Sequence, residues 1–152
     1  MTDPRAVLAG LGLTLPAAVA PLAAYVPAVQ SGNHVYVSGQ VPIVDGQLLA
    51  TGKVGAEVPA EQGADLARQC ALNALAAVDA LVGLDRVVKV VKVVGFVASA
   101  EGFTGQPGVV NGASELFGAV FGEAGRHARS AVGVAELPLG APVEVEAIFE
   151  VS

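Results

Sequence analysis

The chain has 152 residues, of which 53% are hydrophobic and only 14% charged, and its formal net charge is −6. This length suits one domain with a substantial core, while the apolar excess favours association that buries surface between copies of the chain. Because there are only 8 Lys and Arg residues and no basic run, nucleic-acid binding is disfavoured.

Residues 1–21 are rich in Ala and Pro and are interpreted as an N-terminal extension of a single domain over residues 1–152. The segment 7–9 predicts a short helix that ends near Gly10 or Gly12, and the prolines that follow favour extended chain. Because a basic start, a clean apolar run and a cleavage site are missing, we expect no signal peptide. No uninterrupted apolar run reaches about 18 residues, so we expect no membrane span and a cytoplasmic protein.

Two turn signals organise the next part of the chain. Gly32-Asn33 predicts a turn between two extended stretches, and the segment 34–41, with its Val and Tyr residues, predicts a strand. Asp45-Gly46 is a strong hairpin signal. We therefore expect short strands joined by tight turns before the first long helix.

The middle of the chain predicts a long helix and then a long strand. The helix is expected to begin at Pro59, because proline suits the first turn, and to end near Gly83. Its small apolar residues recur at three- and four-residue spacing, which indicates close packing on a sheet. Cys70, the single cysteine, lies among them, so neither a disulfide framework nor a cysteine-rich metal site is expected. The Val-rich segment 87–98 predicts a strand covered on both faces, by helices or by another subunit.

The C-terminal third predicts a glycine-rich loop over 101–107, a second helix over 109–121, and two strands near 130–136 and 143–151. The predicted order ββ, α, β, α, ββ indicates an α+β fold with both helices on one face of the sheet. The other face, which is still apolar, then needs a partner chain.

The last two strands carry the pattern most suggestive of chemistry. Arg129 opens the first, and Glu144 and Glu146 lie two residues apart in the second, so these two carboxylates share a face. If the strands pair as a hairpin, a guanidinium and a carboxylate come close together near the sheet surface. Such a pair could hold a small anionic substrate and polarise a water molecule beside it.

Several segments, in order and at sensible spacing, resemble the reactive-intermediate deaminase (Rid) family. The resemblance runs from about residue 22 to the end and is carried by residues 25–30, Gly32-Asn33, 37–42, Asn111, Arg129-Ser130, Leu137-Pro138 and 143–148. It implies a chorismate-mutase-like α+β fold and a homotrimer whose sheets line a central barrel, with clefts between subunits. It also implies hydrolysis of reactive enamines and imines to 2-oxo acids and ammonia, without metal or organic cofactor.

The resemblance implies two catalytic residues. Arg129 matches the arginine that holds the substrate carboxylate, and Glu144 matches the glutamate that positions water. Hydrolysis of an imine needs orientation more than strong acid. A bidentate arginine clamp supplies orientation, and a carboxylate hydrogen-bonded to water can act as general base.

Five further positions are implied to line the substrate cleft. Tyr25 and Asn111 match residues that shape the pocket, and Ser38 and Gly39 lie in the matching cleft-lining strand. Ala131 stands where many relatives have a cysteine whose main-chain carbonyl holds water, and alanine could still supply that carbonyl.

Departures from the family pattern leave alternatives open. Ala23-Ala24 replaces a Gly-Pro found in many relatives, and both the N-terminal extension and the loop before Asn111 are longer. A non-catalytic module that binds a small carboxylate in the same cleft is the second hypothesis, and an endoribonuclease, disfavoured by the acidic charge, is a weaker third. His34 and His127 have no neighbours at metal-ligand spacing, so no metal site is expected. His127 is interpreted as a loop residue that could edge the cleft.

Overall fold

A computed structural model of the protein describes residues 2–20 and 23–152. Three short 3-10 turns occupy Leu84–Arg86, Gly122–Gly125 and Pro138–Gly140. The helices and strands follow in the order α1 (Pro4–Gly10), β1 (Ala28–Ser31), β2 (His34–Gln40), β3 (Ile43–Val44), β4 (Gln47–Leu48), α2 (Ala60–Leu81), β5 (Val87–Ala98), α3 (Gln106–Phe121), β6 (Ala128–Val134) and β7 (Val143–Val151).

Five strands form one mixed sheet in the order β1-β2-β7-β5-β6, and β3 and β4 form a separate hairpin. β5 and β6 are parallel, whereas the other neighbours are antiparallel. The predicted hairpin of the last two strands is therefore wrong, because β5 lies between β6 and β7. The connection between those two strands has eight residues, 135–142, which is long enough to pass over one strand, a distance of two strand spacings or about 10 Å.

The short-range turn predictions are confirmed. Gly32 has φ +58° at the β1–β2 turn, and β2 covers His34–Gln40, one residue shorter than predicted. Asp45 and Gly46 have φ values of 51° and 79° at the β3–β4 turn. Positive φ at both central residues is the mark of the hairpin turn that an Asp-Gly pair favours.

The helix predictions hold, with one shifted boundary. α2 follows Pro59 and ends at Leu81, close to the predicted limits. α3 begins at Gln106, three residues before the predicted start, because Pro107 occupies the first turn, where its missing N–H costs nothing. The short helix around 7–9 is α1, which is held by buried Leu8 and by an ion pair between Arg5 and Asp79. No helix in the described ranges has the length and apolar character that a membrane crossing requires.

Both long helices pack on one face of the sheet, as predicted. Along β7, every second residue from Val143 to Val151 is buried, and the residues between them are half-exposed. In β5, Val90, Val93 and Val97 are fully buried, whereas Val94 and Phe96 are only half-buried. Helices therefore cover one face of β5, as predicted. The opposite face of the sheet is not covered by the described residues of the single chain, so the predicted cover on that side would have to come from another subunit.

Candidate active site

The first group of candidate site residues surrounds the arginine at the start of β6. Arg129 Nη1 donates to Asn111 Oδ1 at 2.8 Å and to Ser114 Oγ at 3.2 Å, and Nη2 donates to the Pro107 carbonyl at 3.3 Å. Ser114 Oγ lies 2.8 Å from His127 Nε2. We call Pro107, Asn111, Ser114, His127 and Arg129 the arginine cluster.

The fold brings the arginine cluster together from the start of α3 and the edge strand β6. Arg129 is paired with buried Val93, so its side chain lies on the face of the sheet that the helices cover. Asn111 and Ser114 are three residues apart on α3 and therefore share one side of that helix. The early start of α3 turns the Pro107 carbonyl towards the same guanidinium.

The hydrogen bonds leave part of the guanidinium available. An arginine side chain carries five N–H donors, and three hydrogen bonds are made to residues of the described ranges. The two N–H groups that make none there are one on Nε and one on Nη2. Such a pair on one edge of a guanidinium matches the two oxygens of a carboxylate.

The second group lies around Glu144 at the opposite end of the sheet from the β1–β2 turn. A cavity of about 310 Å³ opens there. We call it the glutamate pocket, and its walls are mostly apolar. It is lined by Val19, Ala20, Ala23, Tyr25, Pro27, Gly39, Gln40, Val41, Ile43, Pro138 and Glu144.

A β-bulge in β2 shapes the wall beside Glu144. Between Val37 and Gln40, β2 has one residue more than the facing segment of β7, and the bulge falls at Ser38-Gly39. The Ser38 hydroxyl donates to the Val26 carbonyl at 2.6 Å, and its backbone N–H donates to the Pro27 carbonyl at 2.8 Å. Ser38 thus ties the segment that follows Tyr25 to β2, while Gly39 faces the carboxylate.

Glu144 has the electrostatic character of a proton acceptor. Its side chain makes no hydrogen bond or ion pair with residues 2–20 and 23–152. Burial raises the pKa of the Glu144 carboxyl above its usual value, and the neighbouring Glu146 raises it further. The prediction that the two carboxylates share a face of their strand is confirmed, and that face is the half-exposed side of β7.

Asn73 supports the wall of the glutamate pocket from behind. It is fully buried in α2, and its Nδ2 donates to the carbonyls of Val41 and Ile43 at 3.2 and 3.0 Å. Its Oδ1 accepts from Gln69 Nε2 at 3.0 Å. A buried polar side chain whose nitrogen and oxygen both make hydrogen bonds fixes the path of the chain at this position.

Arg129 and Glu144 do not meet within one chain, because the last two strands do not pair as the hairpin that would bring them together. Arg129 is level with Val93, whereas Glu144 is level with Phe96 on the other side of β5. At ordinary strand spacing, two strands and about three residues separate their Cα atoms by roughly 14 Å. Since side chains an odd number of positions apart point to opposite faces, the two groups lie on different sides of the sheet.

The structure divides the predicted cleft residues between these two groups. Asn111 joins Arg129, and Tyr25 and Gly39 line the glutamate pocket. Ser38 lies behind the pocket wall, and the side chain of Ala131 packs against the core beside the arginine cluster.

Two members of the arginine cluster, Pro107 and Ser114, were missed by the sequence analysis. Ser114 carried no sequence signal of its own, although its position three residues after Asn111 places it on the same helix face. His127 was interpreted as a loop residue that could edge the cleft. It does precede β6, and its two ring nitrogens lie within hydrogen-bond distance of Ser114 Oγ and the Gly125 carbonyl.

Comparison with known proteins places this arrangement in a family. The model of the endoribonuclease L-PSP family matches residues 15–151. Protein TCP17 of Trypanosoma cruzi is 51% identical over 144 residues, which are 93% of this chain and 90% of the relative. The 2-iminobutanoate/2-iminopropanoate deaminase of Escherichia coli is 39% identical over 135 residues, which are 88% and 89% of the two chains.

A crystal structure of an Agrobacterium tumefaciens protein of unknown function superposes with a TM-score of 0.89 at 45% identity, covering 98% of this chain and 92% of that one. The mixed α+β architecture therefore matches a solved fold over nearly its whole length. With the family match over 137 of its residues and deaminases among its relatives, the chain belongs to the endoribonuclease L-PSP family, the Rid family that its sequence signatures resemble.

Proposed function

We propose that the protein is a cofactor-free deaminase that hydrolyses reactive 2-imino and enamino acids to 2-oxo acids and ammonia. The observation that carries the proposal is the guanidinium of Arg129, which three acceptors hold in place while two of its N–H groups make no hydrogen bond to the described residues. An arginine prepared in this way suits a small carboxylate. Relatives named 2-iminobutanoate/2-iminopropanoate deaminase support the reaction class.

We further propose that the active site forms between subunits of a homotrimer. Arg129 and Glu144 are on opposite faces of one sheet, so the groups needed for the reaction can converge only if a second copy supplies one of them. The half-exposed apolar side chains Val94, Phe96 and Ile148 on the open sheet face also favour association. A cyclic assembly repeats the same contact at every interface.

The chemistry follows from the roles of the two groups. Arg129 of one copy binds the substrate carboxylate and orients the imine carbon. Glu144 of the neighbouring copy accepts a proton from a water molecule, whose oxygen bonds to that carbon. The nitrogen takes up protons and leaves as ammonia when the C–N bond breaks, and the C=O bond of the 2-oxo acid forms. The raised pKa of Glu144 makes it a better proton acceptor than an ordinary exposed carboxylate.

A mixing experiment tests the shared site. Arg129→Ala and Glu144→Gln are each expected to release ammonia from a freshly generated 2-imino acid no faster than buffer. When the two inactive variants are unfolded together and refolded, random mixing in a cyclic assembly should restore about a quarter of the sites. A site inside one chain would give no recovery, because no subunit then holds both groups. Light scattering of the wild-type protein should give the mass of three chains.

Other outcomes separate the remaining hypotheses. Stabilisation by a 2-oxo acid in a thermal-shift assay, without turnover of any of several imino acids, would favour a carboxylate-binding module. RNA cleavage that survives further purification and is lost in Glu144→Gln would favour an endoribonuclease. Ammonia release at the wild-type rate from Arg129→Ala would contradict the deaminase mechanism.

A further inference from the structure

We propose that Ser114 and His127 are positioning residues that fix the orientation of the Arg129 guanidinium for its carboxylate ligand. The inference rests on the proposed function of Arg129. Neither residue is among the segments that carry the family resemblance, and neither lines the glutamate pocket.

The hydrogen bonds of this group run in one direction. The Gly125 carbonyl, 2.6 Å from His127 Nδ1, can only accept, so Nδ1 carries a proton. In the neutral ring, Nε2 is then the acceptor, and it takes the hydroxyl hydrogen of Ser114 at 2.8 Å. The lone pairs of Ser114 Oγ are thereby left for Arg129 Nη1 at 3.2 Å. The Gly125 carbonyl thus determines which nitrogen of His127 accepts, and His127 in turn determines that Ser114 accepts from Arg129.

The far end of this chain of hydrogen bonds is anchored in the core. The His127 ring lies edge-on to Phe117, with ring centroids 6.1 Å apart, and Phe117 is fully buried and packs edge-on to Phe149. Gly125 is buried against the carbonyl of Phe117, where a Cβ would not fit. The orientation of His127 is therefore determined by packed, buried groups and not by solvent-exposed side chains.

This anchoring matters because the other side-chain acceptor is exposed. Asn111 also accepts from Nη1, but it lies on the surface of α3, where a side chain can change rotamer at little cost. Ser114 accepts the remaining N–H of Nη1, so the N–H groups of Nε and Nη2 are the ones available to bind the carboxylate of the ligand. Without Ser114, the guanidinium can turn, and the carboxylate loses a prepared partner.

The test compares ligand binding and turnover in variants of Ser114 with those of the wild-type protein. Ser114→Ala should weaken the binding of 2-oxobutanoate, measured by titration calorimetry, and raise the KM for the imino acid about tenfold, the effect of one hydrogen bond to a charged group. The kcat should change less. Ser114→Thr keeps the hydroxyl and should restore most of the affinity, whereas the exposed control Ser31→Ala should behave as wild type.

The outcomes distinguish this inference from the proposed function. If Arg129→Ala abolishes binding while Ser114→Ala and His127→Asn bind as wild type, the positioning role is wrong and the function stands. If Arg129→Ala itself binds and turns over normally, the proposed function fails. A third measurement needs no variant, since the nitrogen NMR shifts of neutral His127 should show the proton on Nδ1. A proton on Nε2 would overturn the inference.

Discussion

Gly39 lies directly against the carboxylate of Glu144. A Cβ added at Gly39 would come within 2.8 Å of Glu144 Cδ and 2.9 Å of Oε2, closer than such atoms can approach. The bulge in β2 thus requires a glycine here if the carboxylate is to lie in the glutamate pocket. The positions of both residues follow from the same irregularity in strand pairing.

Replacing this glycine should reduce activity more than stability. In Gly39→Ala, the flexible end of Glu144 can swing aside, so the fold should persist while the carboxylate is displaced from its proposed position beside the attacking water. A misplacement of about 1 Å can lower the rate on the order of 100-fold, and we expect a loss of that size in kcat/KM. Gly118→Ala, a helix position with nothing within 4 Å of the added Cβ, is the matched control and should keep full activity.

Glu146, which carries the same charge as Glu144, should raise the pH at which kcat/KM falls on the acid side of its pH profile. If Glu144 acts as a base, kcat/KM falls when pH drops below the pKa of its carboxyl, and both burial and Glu146 raise that pKa. Glu146→Gln removes the second cause, so the acid limb should move to lower pH. Glu150→Gln, on the same strand and face, should leave it unchanged. An unmoved limb in Glu146→Gln would show that another group controls it.

The same pKa shift predicts how stability depends on pH. Because the pKa of Glu144 is raised on folding, the folded protein retains a proton at pH values where the unfolded chain has released it. Between the usual glutamate pKa and the raised one, this carboxyl therefore makes the free energy of unfolding fall as pH rises. Glu144→Gln should remove that fall and be more stable than wild type above the window. Urea unfolding of both proteins across this pH range measures the difference.

Asn73 should be needed for the shape of the glutamate pocket. Asn73→Ala leaves the buried carbonyls of Val41 and Ile43 without their shared donor, which should lower the free energy of unfolding by about 1–3 kcal/mol and also reduce turnover. Gln69→Ala removes only the hydrogen bond from Gln69 to the Asn73 side chain and should cost less. Equal losses in the two variants would argue that Asn73 has no separate role.

The close approach of α2 and α3 should depend on Gly112. A Cβ at this position would overlap the backbone carbonyl of Ala64, and because backbone cannot move as a side chain does, Gly112→Ala should destabilise the protein by about 3 kcal/mol. Gly118→Ala on the same helix should instead stabilise it by about 0.5–1 kcal/mol. Denaturant unfolding of both variants tests the contrast, which a uniform glycine effect would not produce.

Local structure could be predicted from the sequence where interactions between residues close in the chain determine it. The Asp45-Gly46 turn, the helix after Pro59 and the Val-rich β5 were predicted because backbone preference and side-chain periodicity act over a few residues. The family, too, was recognisable from short signatures. The one shifted helix boundary, at Gln106, came from a proline that fits the first turn.

The tertiary structure alone decided where the chemical groups lie relative to one another. The sequence determined that Arg129 and Glu144 stand on strands that follow each other, but not that β5 would lie between them. The sequence likewise shows His127 close to Arg129 in the chain, but not that Ser114, fifteen residues before the arginine, bonds to both of them. Strand order and side-chain contacts depend on residues far apart in the chain. Several strand pairings are possible for each segment, and the packing of the whole sheet against its helices determines which of them forms.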